Sequence, residues 1–187
     1  MNEVTRPQIQ VYTGDGKGKT TAALGLLLRY LGTGGRACFI QFDKGAAEGS
    51  DFYQERRCFP LFPQLTHHPT GLVRFNAEKN TFRFKNVPAD FAEAQRGMSL
   101  AKQAFSQGYG LVVLDEILSL VLTGLVGTDE VMALLDEYER QGRPCELVLT
   151  GHRIWPELAA RVDLITEMKK LKHYFDQKVE ARKGFEY

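Results

Sequence analysis

Ile9-Gln10-Val11-Tyr12-Thr13-Gly14-Asp15-Gly16-Lys17-Gly18-Lys19-Thr20-Thr21-Ala22-Ala23-Leu24 decides the reading of this 187-residue chain. Ile9 to Tyr12 is a short apolar run with β-branched residues, the pattern of a buried strand. Thr20 to Leu31 has helical spacing, is rich in alanine and leucine, and ends at Gly32. Between them, Gly14, Gly16 and Gly18 let backbone N–H groups turn inward around phosphate oxygens. The helix that follows presents its positive end to the same anion. A strand, a glycine-rich loop and a helix are the context that a P-loop requires. The expected ATP-binding residues are Thr13, Gly14, Asp15, Gly16, Lys17, Gly18, Lys19, Thr20 and Thr21. Lys19 would place a point charge on the phosphates and the Thr20 hydroxyl would ligate Mg²⁺. Thr13 stands where the general motif has its first glycine.

A P-loop leaves the metal in need of a carboxylate at the end of another buried strand. Leu111-Val112-Val113-Leu114-Asp115-Glu116 supplies it. Thr20, Asp115 and Glu116 are the candidate metal residues, and Lys19, Thr20 and Glu116 the candidate catalytic ones. Lys17 and Lys44 are candidates for secondary phosphate contacts.

Further apolar runs at Ala37 to Phe42, Glu146 to Leu149 and Leu164 to Thr166 read as strands, and Asp90 to Phe105 and Asp129 to Arg140 as helices. Such alternation implies a mostly parallel α/β sheet covered on both faces. With no repeat or low-complexity tract, residues 1–187 are expected to form a single nucleotide-binding domain. Ala46 to Pro88 lacks steady periodicity and reads as a long irregular connection of the kind that builds a binding surface.

Twenty-four basic against 23 acidic residues, a net charge of +1, provide no whole-surface field for nucleic acid or an acidic membrane. Three widely spaced cysteines suggest neither a disulfide framework nor a zinc site. The first ten residues hold no apolar run of signal-peptide type, and no stretch approaches the ~20 apolar residues of a spanning helix. A cytoplasmic protein is expected. His67-His68, as neighbours in a strand, would point to opposite faces and lack ligand spacing.

With these residues placed, the sequence resembles the corrinoid adenosyltransferases of P-loop type. The likeness rests on Tyr12 to Thr21, where the family also lacks the first glycine, and on Gln41-Phe42-Asp43-Lys44-Gly45. It continues through Val113-Leu114-Asp115-Glu116 and Leu149-Thr150-Gly151-His152-Arg153. Its most specific part is the end of the chain: Asp163 to Met168, Lys172-His173-Tyr174-Phe175 and Ala181-Arg182-Lys183-Gly184-Phe185-Glu186-Tyr187. Two departures stand out. Ser50-Asp51 replaces a Gly-Glu pair, and the family's Gly-Phe-x-Trp segment before the long helix is missing. The nearest stretch is Gly71-Leu72-Val73-Arg74 or, after an apparent insertion, Phe82-Arg83-Phe84; Phe82 and Phe84, which restore aromatics near the expected distance from Asp115, are assigned to the corrinoid.

The resemblance implies a P-loop NTPase (RecA-like) three-layer sandwich with a mostly parallel central sheet. It implies transfer of the 5′-deoxyadenosyl group of ATP to the Co(I) of a corrinoid, with triphosphate leaving. It also implies a nucleotide reversed in the loop relative to ordinary ATPases, a homodimer, and a functional role for His173 within the tail. The chain has no sign of a flavin or iron–sulfur site, so an external electron donor such as a flavoprotein is expected. The competing readings are a P-loop ATPase or kinase cleaving at the γ-phosphate, and a nucleotide-responsive corrinoid-binding protein.

Overall fold

The computed structural model describes residues 6–45, 52–76 and 81–186. Strand β1 (Ile9–Thr13) leads into helix α1 (Lys19–Leu31) and strand β2 (Ala37–Gln41). After two 3₁₀ turns come β3 (Leu65–Pro69) and the two-residue strands β4 (Phe75–Asn76) and β5 (Thr81–Phe82). The chain continues through α2 (Pro88–Ala104), β6 (Leu111–Asp115), α3 (Ile117–Leu122), α4 (Thr128–Arg140), β7 (Glu146–Thr150), α5 (Pro156–Ala159) and β8 (Leu164–Glu167).

Six strands form one sheet in the order β3-β2-β6-β7-β1-β8, and every pairing in it is parallel. β2 and β6 are buried along their whole length, which explains why they read as unbroken apolar runs. Successive side chains point to opposite faces, so each strand feeds two cores. Phe39, Leu111, Val113 and Val148 meet Ala23, Leu27 and Leu31, the one apolar stripe of α1. On the other face Ile40, Val112, Leu114, Leu147 and Leu149 meet Met98 and Ala101 of α2 and Val131, Leu134 and Leu135 of α4. At about 1.5–3 kcal/mol for each fully buried aliphatic side chain, these two cores dominate the stability of the sheet. The three-layer P-loop sandwich expected from the sequence is the fold, with a main sheet that is wholly parallel.

The boundaries move in an instructive way. Four of the expected strands run one residue further, to Thr13, Asp115, Thr150 and Glu167, while the run through Phe42 ends at Gln41. The added residues are polar, and a polar residue at a strand end is invisible to an apolar-run criterion. α2 begins two residues early, because Pro88 at the first helical position needs no N–H partner and the Asp90 carboxylate accepts from Val87 N at 2.8 Å.

The Ala46 to Pro88 stretch is less irregular than expected. Leu65 to Pro69 joins the main sheet as its edge, parallel to β2. Two histidines disguised it. His67 packs on Phe39 and Phe59, with ring centroids 5.9 and 4.7 Å away, and its Nε2 lies 3.0 Å from Gln41 Oε1. Burial depresses its pKa to about 3, so it stays neutral and serves as packing. Ser50 and Asp51 lie outside the described residues. No helix among the described residues is long and apolar enough to cross a membrane.

Candidate active site

The C-terminal ends of β1, β6 and β7 converge on one cleft of about 290 Å³, lined by the loop from Asp15 to Thr21, Glu116, His152 and three residues of the C-terminal tail. Ligands of open α/β sheets bind at this edge.

The phosphate loop is fixed mainly by backbone bonds. Gly14 N donates to His152 O at 3.1 Å, Gly16 N to Met168 O at 2.7 Å, and Met168 N returns a bond to Thr13 O at 2.8 Å. A Cβ on Gly14 or Gly16 would sit 2.4 or 2.7 Å from Met168 O, so both positions need glycine for close approach. Lys19 is buried, and its Nζ donates to Gly14 O at 2.8 Å and Gly16 O at 2.9 Å inside the curl of the loop. Burial lowers its pKa, against the attraction of Glu116 and Asp15.

Asp115, wholly buried, ties the strands to the loop. Its Oδ1 accepts from Thr20 Oγ1 at 2.9 Å and Thr150 Oγ1 at 2.8 Å. Its Oδ2 accepts from Lys44 Nζ at 2.6 Å, and the same ammonium donates to Thr20 Oγ1 at 3.0 Å. Burial opposes the Lys44 charge, but Asp115 and Glu116 outweigh it and hold its pKa above the ordinary lysine value. Glu116 adopts a left-handed conformation (φ 66°), with its N–H on Thr150 Oγ1 and its Oε2 accepting from Ser119 Oγ.

Thr20, Asp115 and Glu116 offer hard oxygen donors of the kind Mg²⁺ takes together with phosphate oxygens and water. A cation, the Lys44 ammonium, already stands against two of them. The donor set therefore fits the ion. Among the described residues no group of three or more His, Cys, Asp or Glu side chains is placed to hold a metal.

The tail covers the loop from the other side. Lys17 Nζ donates to Tyr174 OH at 3.0 Å, Phe185 O at 2.6 Å and Glu186 Oε1 at 2.5 Å. Arg182 Nε also donates to Glu186 Oε2 at 3.2 Å, and Lys170 N donates to Asp15 Oδ1 at 3.2 Å. Hydrogen bonds from Arg182, Lys17 and Tyr174 push the Glu186 pKa far down. His173 lines the cleft and accepts from Phe175 N through Nδ1 at 3.1 Å.

An ion-pair network lies against Asp43, in the turn that follows β2. Arg74 Nε donates to Asp43 Oδ1 at 2.8 Å and Arg74 Nη2 to Asn86 Oδ1 at 3.1 Å. Arg83 binds Asp90 through both Nη atoms, at 2.6 and 2.8 Å. β4 and β5, which lie between Arg74 and Arg83 in the sequence, form a separate antiparallel pair with Phe75 opposite Phe82.

The structure thus brings Lys19, Thr20, Asp115 and Glu116 together, with the loop glycines around them. Lys17, expected on phosphate, is turned to the tail. Lys44 sits on the carboxylate that was expected to hold metal. Phe84 is 84% exposed and is not among the residues lining the cleft. Sequence reasoning assigned no task to Thr150, which orients both Asp115 and Glu116, or to Glu186. A hydroxyl residue ending a buried strand beside the acid-bearing one was the available signal for Thr150.

Known proteins resemble this chain in sequence over nearly its full length. The family described as ATP:corrinoid adenosyltransferase BtuR/CobO/CobP matches residues 5–187. A corrinoid adenosyltransferase of Pseudomonas aeruginosa is 33% identical, over 97% of this chain and 84% of its own. Corrinoid adenosyltransferases of Escherichia coli K12 and Salmonella typhimurium are each 29% identical, over 96% of this chain and 85% of theirs. The phosphate loop, the Asp115 strand and the tail that closes on them all lie within the matched span, and the chain belongs to the corrinoid adenosyltransferase family.

Proposed function

We infer that this protein transfers the 5′-deoxyadenosyl group of ATP to the Co(I) of a corrinoid, releasing triphosphate. The observation that carries the reading is the junction of Lys19, Thr20 and Asp115 beneath a tail anchored on Gly16 through Met168 O.

In this reaction the cobalt is the nucleophile. Its electron pair forms the Co–C bond at C5′ of the ribose, the C5′–O bond breaks, and that bonding pair leaves with triphosphate. No proton has to be moved, so the protein's work is alignment and stabilisation of charge on the leaving group. The loop amides and Lys19 hold the phosphate chain, and Thr20 and Asp115, with Glu116 nearby, hold Mg²⁺. When bound, the ion offsets negative charge on the phosphate oxygens. Burial of Lys19 and closure by the tail lower the local dielectric, which strengthens each of these contacts. The nucleotide is reversed in the loop relative to ordinary ATPases, which exposes C5′ to the corrinoid. Phe82 and Phe84 belong to the corrinoid side, Lys17 changes partner from Glu186 to phosphate on loading, and the active unit is a homodimer. Residues 1–187 act as one cytoplasmic nucleotide-binding domain, supplied with electrons by an external donor such as a flavoprotein.

An anaerobic assay with ATP, Mg²⁺ and chemically reduced cob(I)alamin tests the reaction. Light-sensitive adenosylcobalamin with free triphosphate is the expected product pair. Release of ADP without a Co–C product would overturn the reading in favour of cleavage at the γ-phosphate.

A further inference from the structure

Lys44 holds a position that its place in the sequence does not announce. It lies three residues beyond β2, and Gln41 of β2 stands opposite Asp115 of β6, so the turn brings its side chain over the end of the acid-bearing strand. The backbone of the turn is pinned: Lys44 N donates to Thr70 O at 2.9 Å, and Lys44 O accepts from Arg56 Nη2 at 2.6 Å. The side chain is only 15% exposed and its ammonium lies 6.0 Å from the centre of the Tyr53 ring. From there Nζ reaches Asp115 Oδ2 and Thr20 Oγ1 together. The other carboxylate oxygen is already taken by the hydroxyls of Thr20 and Thr150. The two oxygens through which Thr20 and Asp115 would bind a metal are therefore both engaged by one intramolecular cation.

We propose that Lys44 is a tethered counter-ion that closes the metal position in the nucleotide-free protein and leaves it only when a polyphosphate arrives. A free divalent ion would have to expel the ammonium from a wholly buried carboxylate and leave it with only Glu116, itself a candidate metal residue, as a nearby anion, which is costly. A triphosphate chain removes that cost, because its oxygens receive the displaced ammonium while the metal takes Asp115 and Thr20. Metal and nucleotide binding are then linked, each raising the affinity for the other. The same exchange delivers a positive charge to the group that leaves in the reaction. This inference rests on the cleft being a Mg²⁺–ATP site.

The test is a titration of Mn²⁺ into the nucleotide-free protein, with the free ion followed by electron paramagnetic resonance, for the wild type, Lys44→Met and Lys44→Gln. Lys44→Gln removes the charge but keeps a hydrogen-bond donor on a side chain one bond shorter, and serves where Lys44→Met fails to fold. The expected result is a nucleotide-free affinity at least about tenfold higher in the variant than in the wild type. That gain disappears when Asp115→Asn is added. With ATP present and no corrinoid, the wild type binds one Mn²⁺. Equal nucleotide-free affinities in the wild type and the folded variant would overturn the exchange, as would a gain that survives Asp115→Asn. Failure of the wild type to bind Mn²⁺ with ATP would overturn the nucleotide reading itself, and is distinguished by that arm.

Discussion

The phosphate loop and the Arg74–Asp90 region stand on two sides of the β2 turn and are held by opposite means. The loop is fixed by backbone groups meeting backbone groups, Gly14 with His152 and Gly16 with Met168. The Arg74–Asp90 region is fixed by long charged side chains, Arg74 on Asp43 and Arg83 on Asp90. Backbone-held geometry demands glycine at set spacings, and so writes itself into the sequence. Side-chain-held geometry can be reached from many spacings, and so leaves no local pattern. The first kind tolerates no added Cβ, while the second is open to salt, pH and substitution.

The largest effect should come from the one side chain on which the loop depends. Lys19→Ala removes the ammonium inside the curl, and kcat/KM for triphosphate formation should fall by about 10²–10³-fold, the loss typical of a donor to developing charge. A smaller loss would mean that the amides alone do the work. Next is Gly16→Ala, whose Cβ would lie 2.7 Å from Met168 O. Overpacking of this kind costs about 1–3 kcal/mol. Thermal unfolding should report the lower stability, and an ATP titration a weaker Kd. An unchanged Kd would show that the tail yields to the loop, which would erase the contrast between the two regions.

Phe82→Ala with Phe84→Ala probes the other side. Corrinoid use should drop by about tenfold, equivalent to ~1.4 kcal/mol, with the ATP Kd unchanged. Normal corrinoid turnover in the double variant would overturn the assignment of these two aromatics to the corrinoid.

The smallest effect is on acid stability. Hydrogen bonds from Arg83 hold the Asp90 pKa down at about 2, against an unfolded value of about 3.9. Because the folded value is the lower one, the pair's contribution is complete above pH ~4 and is lost as pH falls through about 2. Urea unfolding of the wild type and Asp90→Asn between pH 2 and 7 should show curves that converge at the acid end. The difference near neutrality should be about 1 kcal/mol, since Arg83 is partly exposed. Parallel curves would place the acid sensitivity elsewhere.

The same contrast explains what was legible in the sequence. β1, the loop and α1 were readable because glycine spacing and the apolar stripe of Ala23, Leu27 and Leu31 are local signals. Asp115 was readable as an acid after an unbroken apolar run. β3 was not, because His67 gains its apolar role only by lying against Phe39 and Phe59, residues distant in sequence. α3 escaped notice because its six residues directly follow a left-handed Glu116, a conformation that nothing in Asp-Glu-Ile announces. Lys44 was read only as a candidate phosphate contact, and its bond to Asp115 was not foreseen because it comes from the parallel register of β2 and β6, a long-range fact.

The position of β1 has a consequence for the order in which the molecule is made. β1 is hydrogen-bonded on one side by β7 and on the other by β8. A ribosome that has just added Thr20 has written the entire phosphate motif and none of its walls. The carbonyls that receive Gly14 and Gly16 belong to His152 and Met168. At about 5–20 residues per second, they are added roughly 7 to 30 seconds later. Until then the nascent loop has neither carbonyl to donate to. A chain that has not yet reached Met168 carries the glycine signature without the carbonyls that fix its geometry.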